Sequence, residues 1–284
     1  MNRTVYLLTV LIMLLAAAAA AAGLLWQGSG EPFEFTTLRG ETVMMQGRGL
    51  YRYDSVSGAA QELGQDAVTL LVGIPLLLAG LLSSRRGSLR GHLLLTGGLG
   101  YFLYTYASMA FLTAFNTLFI VYVALFSLSL FGFILALSSL DPQDVADRMS
   151  ERFPRRVVIW FLILVAGFLS LAWLGLVVPP SLQGSAPAGL DAYTTMVIQV
   201  LDLGVIVPTA LITAVLLWRQ RPWGFLLAAV LLVKIITMGA ALISMIIVQL
   251  LAGVAVDPVV TVIFAIICVV GIALGILTLR GIRS

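Results

Sequence analysis

Residues 225–251 read FLLAAVLLVKIITMGAALISMIIVQLL, an apolar run broken near its first third by Lys234, the only lysine in the chain. The run exceeds the roughly 20 residues that an α-helix needs to cross a hydrocarbon layer of about 30 Å. A charge inside such a span costs about 2.5–3.5 kcal/mol on insertion scales, so a compensating group has to lie nearby. The preceding apolar run, Tyr193 to Trp218, carries one similarly placed acid, Asp202.

Working outward, the pattern repeats. Apolar runs occur at Val5–Trp26, Ala67–Leu82, His92–Phe115, Thr117–Leu137, Val157–Val178, Tyr193–Trp218, Phe225–Leu251 and Val259–Leu279. With 61% hydrophobic and 10% charged residues in 284, the chain cannot bury its apolar surface in one water-soluble core. Runs this long satisfy their backbone groups as helices and do not alternate like barrel strands. The fold class expected is all-α: a polytopic membrane protein of eight transmembrane helices, seven if the first is removed as a signal peptide. Met1-Asn2-Arg3 followed by an alanine-rich stretch has the layout of such a peptide, but its apolar run is longer than a usual signal core, and an uncleaved anchor is the expectation.

Arginine placement sets the orientation. With the N-terminus inside, twelve arginines fall on the inner face and only Arg39, Arg48 and Arg52 outside, so both termini are expected in the cytoplasm of a bacterial-type inner (plasma) membrane. The calculated basicity then reflects the membrane surface, and no nucleic-acid partner is implied. The lipid bilayer is the expected partner, with a homo-oligomer or another membrane protein compatible.

The chain divides into residues 1–140, a first four-helix unit containing the external loop 27–66; residues 141–156, a connector; and residues 157–284, a second four-helix unit. In the loop, Phe33, Phe35 and Thr37 alternate, Arg39-Gly40 offers a turn, and Thr42–Gln46 and Leu50–Tyr53 are strand-like, so a small β-hairpin is expected, then a short helix over Ser55–Gln65. In the connector, Asp141-Pro142 is a helix start, and Val145, Met149 and Phe153 recur every four residues. Aligning the halves on Pro75 and Pro208 places Arg85 and Arg86 near Arg219 and Tyr101 near Lys234. This is the pattern of an internal repeat in parallel orientation, as occurs among transporters.

The candidate site is built on spans six and seven. Thr195, Gln199, Asp202, Thr209 and Thr213 share one helical face, and Lys234, Thr237, Ala241 and Ser244 form an answering stripe. From the helical rise, Asp202 and Lys234 lie roughly 13 and 14 Å from opposite ends of their spans, both near mid-depth. Pro208 withholds its hydrogen bond and presses on Gly204, so a local break beside Asp202 is expected. Tyr101 and Tyr104 on span three are deep enough to need hydrogen-bond partners and are candidates to line the same cavity. An intramembrane ion pair here serves either of two roles: coupling protonation to conformation in a transporter or channel for a small solute or proton, or clamping two helices in a receptor or accessory subunit that uses the external loop for recognition.

Enzymatic activity is not expected. One His and one Cys, Cys268, exclude a His/Cys metal cluster, no G-x-S-x-G, H-E-x-x-H or phosphate-loop pattern occurs, and neither cofactor nor metal is called for. A retinal Schiff-base lysine would sit on the last helix of seven, whereas another full span follows Lys234. The layout of the first four spans with Gly49-Leu50-Tyr51 in a strand-rich loop resembles claudin-type four-helix proteins, but the cysteines of that pattern are missing, and no family is assigned.

Overall fold

The computed structural model describes residues 3–26, 28–151 and 153–283. Helix α1 (Arg3–Leu25) leads to strands β1 (Phe33–Thr36) and β2 (Thr42–Met45). Helix α2 (Val56–Val68) passes through a π-helical turn, Thr69–Gly73, into α3 (Ile74–Arg85), and α4 (Leu89–Phe111) and α5 (Phe119–Ser138) follow. A short α6 (Pro142–Asp147) joins these to α7 (Arg155–Gln183). Then α8 (Val197–Leu201) passes through a second π turn, Asp202–Ile206, into α9 (Val207–Trp218), with α10 (Pro222–Leu251) and α11 (Pro258–Gly281) completing the chain.

Seven of the helical segments described are long and apolar enough to cross a membrane, α2 to α3 and α8 to α9 each counting as one continuous span. The chain is a multi-pass membrane protein. The segment expected as an eighth span is α4, whose 23 residues include Gly97, Gly98, Tyr101, Tyr104, Thr105 and Tyr106. It falls short of the apolarity of the others for a packing reason. Helix α4 lies against α3, α5 and α10, and most of its surface meets protein. Elsewhere the apolar side chains turned outward, such as Leu7, Leu71, Phe131, Leu164 and Val262, suit a lipid surround.

The core has two centres. One gathers α1, α3, α4 and α5 around Ile12, Leu77, Leu99 and Leu125; the other gathers α6, α7, α9 and α10 around Val145, Val158, Leu217 and Leu232. Helix α10 joins them, packing on α2 and α4 as well as on α9 and α11. Its approach to α2 is close: a Cβ added at Gly64 would lie 2.7 Å from the backbone N and Cα of Met245. The contact of α8 on α4 is slight, and space opens there.

The hairpin lies between α1 and α2, pairing Phe33 with Met45 and Thr36 with Thr42. Leu50–Tyr53, expected as strand-like, forms a turn. Gly47 and Gly49 both adopt positive φ, and Gly47 N–H donates to the Arg52 carbonyl, so the backbone curls where apolar alternation alone reads as extended. Ser55 caps α2 through Gly58 N–H, and Asp141 caps α6 through Gln143 N–H. The connector helix stops at Asp147. Met149 and Phe153 are buried without helical geometry because the chain end docks on them: Ser150 N–H donates to the Gly281 carbonyl and Arg283 N–H to the Arg148 carbonyl.

Both π turns end directly before the first residue of a proline-bearing helix, Ile74-Pro75 and Val207-Pro208. In each, the helix widens by one residue just before the proline, whose preceding residue bonds five positions back instead of four: Ile74 N–H to the Thr69 carbonyl, and Val207 N–H to the Asp202 carbonyl. The break expected at Gly204–Pro208 is thus absorbed without interrupting the helix.

Two glycines separate these features in a stability measurement. Gly64→Val is expected to push α2 from α10 and to cost about 1–3 kcal/mol, seen as a lowered melting temperature in detergent. Gly204→Ala, with nothing within 4 Å of the added Cβ, is expected to melt like the parent.

Candidate functional site

A cavity of about 560 Å³ fills the space that α8 leaves beside α4. It runs from the loops at Gly189–Asp191 and Val256–Asp257 down to Asp202 and Lys234, between α2, α4, α7, α10 and α11. Most of its wall is apolar, with a few convergent polar groups, the usual make-up of a small-molecule site.

Asp202 is only 8% exposed, held where the second π turn begins. Tyr104 Oη donates to its Oδ1 at 2.7 Å and Trp173 Nε1 donates to its Oδ2 at 2.9 Å. Lys234, 9% exposed, places Nζ 4.0 Å from the centre of the Tyr104 ring. The two charges do not form a direct ion pair; among the described residues that contact belongs to Asp144 and Arg148. Tyr104 stands between them, offering its ring face to the ammonium and its hydroxyl to the carboxylate. A phenol that donates to an anion carries a more electron-rich ring, which strengthens the cation–π contact on its face.

The other sequence-selected residues separate. Gln199 and Thr195 line the cavity beside Asp202. Thr237 does not: it is fully buried and its hydroxyl donates to the Lys234 carbonyl at 2.9 Å. Gly204 is exposed on the outer side of its helix and is no part of the wall. Tyr101 belongs to a different, fully buried network, where its hydroxyl meets Gln65 Nε2 and Thr69 Oγ1, while Gln65 also donates to Thr105. The Thr213 hydroxyl donates to the Thr209 carbonyl within their own helix.

Sequence reading missed Trp173. Its only signal is an indole in mid-span, whose N–H needs a partner when buried. It also missed the loop end of the cavity. There Tyr193 Oη donates to Asp54 Oδ1 at 3.0 Å, Ser55 Oγ to Asp191 Oδ2 at 2.6 Å, and Thr113 Oγ1 to Glu62 at 2.7 Å. Arg39, in the turn of the hairpin, donates to the carbonyls of Asp191 and Tyr193, both at 3.1 Å. The hairpin is thereby latched to the loop that forms the cavity wall. Among the described residues no three His, Cys, Asp or Glu side chains come together so as to hold a metal ion.

No protein-family model matches the chain, and neither a curated protein nor a solved structure does. The reading of the site therefore rests on its own geometry.

Asp54, 1% exposed, accepts from Ala114 N–H and Tyr193 Oη through Oδ1, while its Oδ2 has no partner. Burial pushes its carboxyl up to about 6, and the two donors only partly oppose this. Below the ordinary aspartate value near 4, folded and unfolded chains both hold the proton. Between about 4 and about 6 only the folded chain does, so this group's contribution to stability falls as pH rises through that window, by roughly 3 kcal/mol in all. Melting curves between those values are expected to show the loss, and Asp54→Asn to remove that part of the slope.

Proposed function

We propose that the protein is a transporter that moves a small solute or ion through this cavity, with Asp202 and Lys234 coupling protonation to conformation. The observation that carries the reading is the cavity itself, which reaches two opposite charges held apart by Tyr104 in a membrane-spanning bundle. A static clamp would place the two charges in contact, where their attraction offsets the cost of burial best. Here each keeps a separate contact with the same tyrosine, and both face the cavity. Protonating Asp202 changes what Tyr104 and Trp173 hold and thereby what Lys234 faces.

The same reading includes an internal duplication. The first π turn, α3 and the start of α4 are followed by the second π turn, α9 and the start of α10 at one constant spacing, with Pro75 matching Pro208. Gly91 and Gly224, also at that spacing, each let their helix close on the preceding one, at Ser83-Ser84 and at Leu216-Leu217. On this alignment Thr69 and Tyr101 fall at the places of Asp202 and Lys234. In this reading α4 is the eighth crossing, the arginine distribution puts both termini in the cytoplasm of a bacterial-type inner membrane, and the loop end of the cavity faces outward.

A second reading, a receptor or accessory subunit, is favoured by the hairpin. Phe33, Phe35 and Leu38 are exposed on it, with Leu38 fully so, and Arg39 ties it to the cavity loop. Such a surface suits a partner.

Proteoliposomes carrying a pH-sensitive dye and offered a panel of polar and amphipathic solutes distinguish the two. At least one solute is expected to move protons in a protein-dependent way, with Asp202→Asn and Lys234→Ala each slowing it by about tenfold or more. If no solute moves, the receptor reading stands; if a solute moves but both variants match the parent rate, the pair has a structural role and does not couple transport.

A further inference from the structure

We infer that the ligand of this cavity is an amphipathic anion, an oxyacid group such as a carboxylate on an apolar body, with the anionic group seated on Lys234. The inference rests on the cavity being the solute site and adds the chemical class of the solute.

The sign of the ligand follows from which wall groups already have partners. Glu62 accepts from Thr113, Asp191 from Ser55, Asp257 from Val259 N–H, and Asp202 from both Tyr104 and Trp173. Each acid on the wall is thus engaged by a protein donor. Lys234 is the exception: about nine-tenths buried and facing the cavity, its ammonium donates to no acceptor among the described residues. The Tyr104 ring covers one side of it, but a ring face offers no lone pair to three N–H donors. Tyr104 also bars Lys234 from closing on Asp202, because its hydroxyl is fixed to that carboxylate. A buried ammonium so placed is satisfied best by an acceptor of opposite charge arriving through the cavity.

The apolar body follows from the rest of the wall. Leu169 and Leu176 of α7, Leu242 and Ile246 of α10, and Phe264 and Ile267 of α11 line the rest of the space. Met245, whose backbone lies against Gly64, is eleven residues from Lys234, so this part of the wall extends about 16 Å along α10. Helices α7 and α11 touch only slightly, and the rings of Phe168 and Phe264, 5.3 Å apart edge to face, close the wall between them. A small inorganic anion would leave all of this surface uncovered.

The test is calorimetric titration of the full chain in lipid nanodiscs, with empty discs subtracted, using decanoate, decanol, decyltrimethylammonium and acetate. Decanoate is expected to bind saturably, and each of the other three about tenfold more weakly or worse. Lys234→Gln is expected to lose about tenfold or more for decanoate, and Lys234→Arg to stay within roughly threefold of the parent. Equal binding of decanol or the ammonium amphiphile overturns the inference, as does acetate binding as well as decanoate, or unchanged decanoate affinity in a folded Lys234→Gln. Should that variant fail to fold, the four ligands on the parent chain decide alone. Decanoate binding with no decanoate-dependent flux upholds the ligand class and overturns transport. Protein-dependent flux of another solute without decanoate binding does the reverse.

Discussion

The arrangement around the cavity depends on one constraint, the cost of holding the Lys234 ammonium inside an apolar bundle. Direct contact with Asp202 would be the shortest solution, but the structure interposes an aromatic ring. Tyr104 meets the cation with its face and the carboxylate with its hydroxyl, and Trp173 completes the carboxylate from α7. Three helices are thereby fixed relative to the π turn that carries Asp202. That turn in turn exists because Pro208 cannot supply the ordinary helical bond. The charge, the ring and the proline are parts of one local solution.

Much of this was legible in sequence and some was not, for identifiable reasons. The apolar spans, the Asp141 cap and the presence of a two-stranded hairpin follow from local rules, but the short helix expected over Ser55–Gln65 is continuous with the second span, which begins at Val56 rather than Ala67. The neighbourhood of Asp202 and Lys234 was legible because the turn between α9 and α10 is short and forces antiparallel packing. Depth along a helix is not rotation about it, however. Tyr101 and Tyr104 are only one turn apart, yet Tyr101 points into the Gln65 and Thr69 network and Tyr104 into the cavity. Thr237 shares a face with Lys234, but a threonine in mid-helix satisfies itself on its own backbone. Gly204 was assigned to the site by a clash that the π turn removes, since the widened helix carries that residue to the outer side. Trp173 lay on a helix whose charges, Arg155 and Arg156, are confined to its first turn, and only tertiary packing joins it to Asp202.

Under the proposed duplication, alike backbones hold unlike interiors. Beside the first π turn, hydroxyl and amide groups satisfy one another and the helices pack closed. Beside the second, Asp202 and Lys234 face open volume. Neutral donors and acceptors of short reach draw helices together. A carboxylate and an ammonium spaced by a ring hold them at a distance, and the distance is the cavity.

The low apolarity of α4 bears on how the chain is made. A helix rich in glycine and tyrosine gains little from lipid on its own, and its polar groups find their bonds only on neighbouring helices. On the proposed eighth crossing, residence of α4 in the bilayer waits on company: α3 and α5 flank it early in synthesis, but α10, which covers its remaining side, leaves the ribosome more than a hundred residues later. Until then the face bearing Gly97 and Tyr104, which meets Val233 and Lys234 of α10 in the finished fold, stays uncovered.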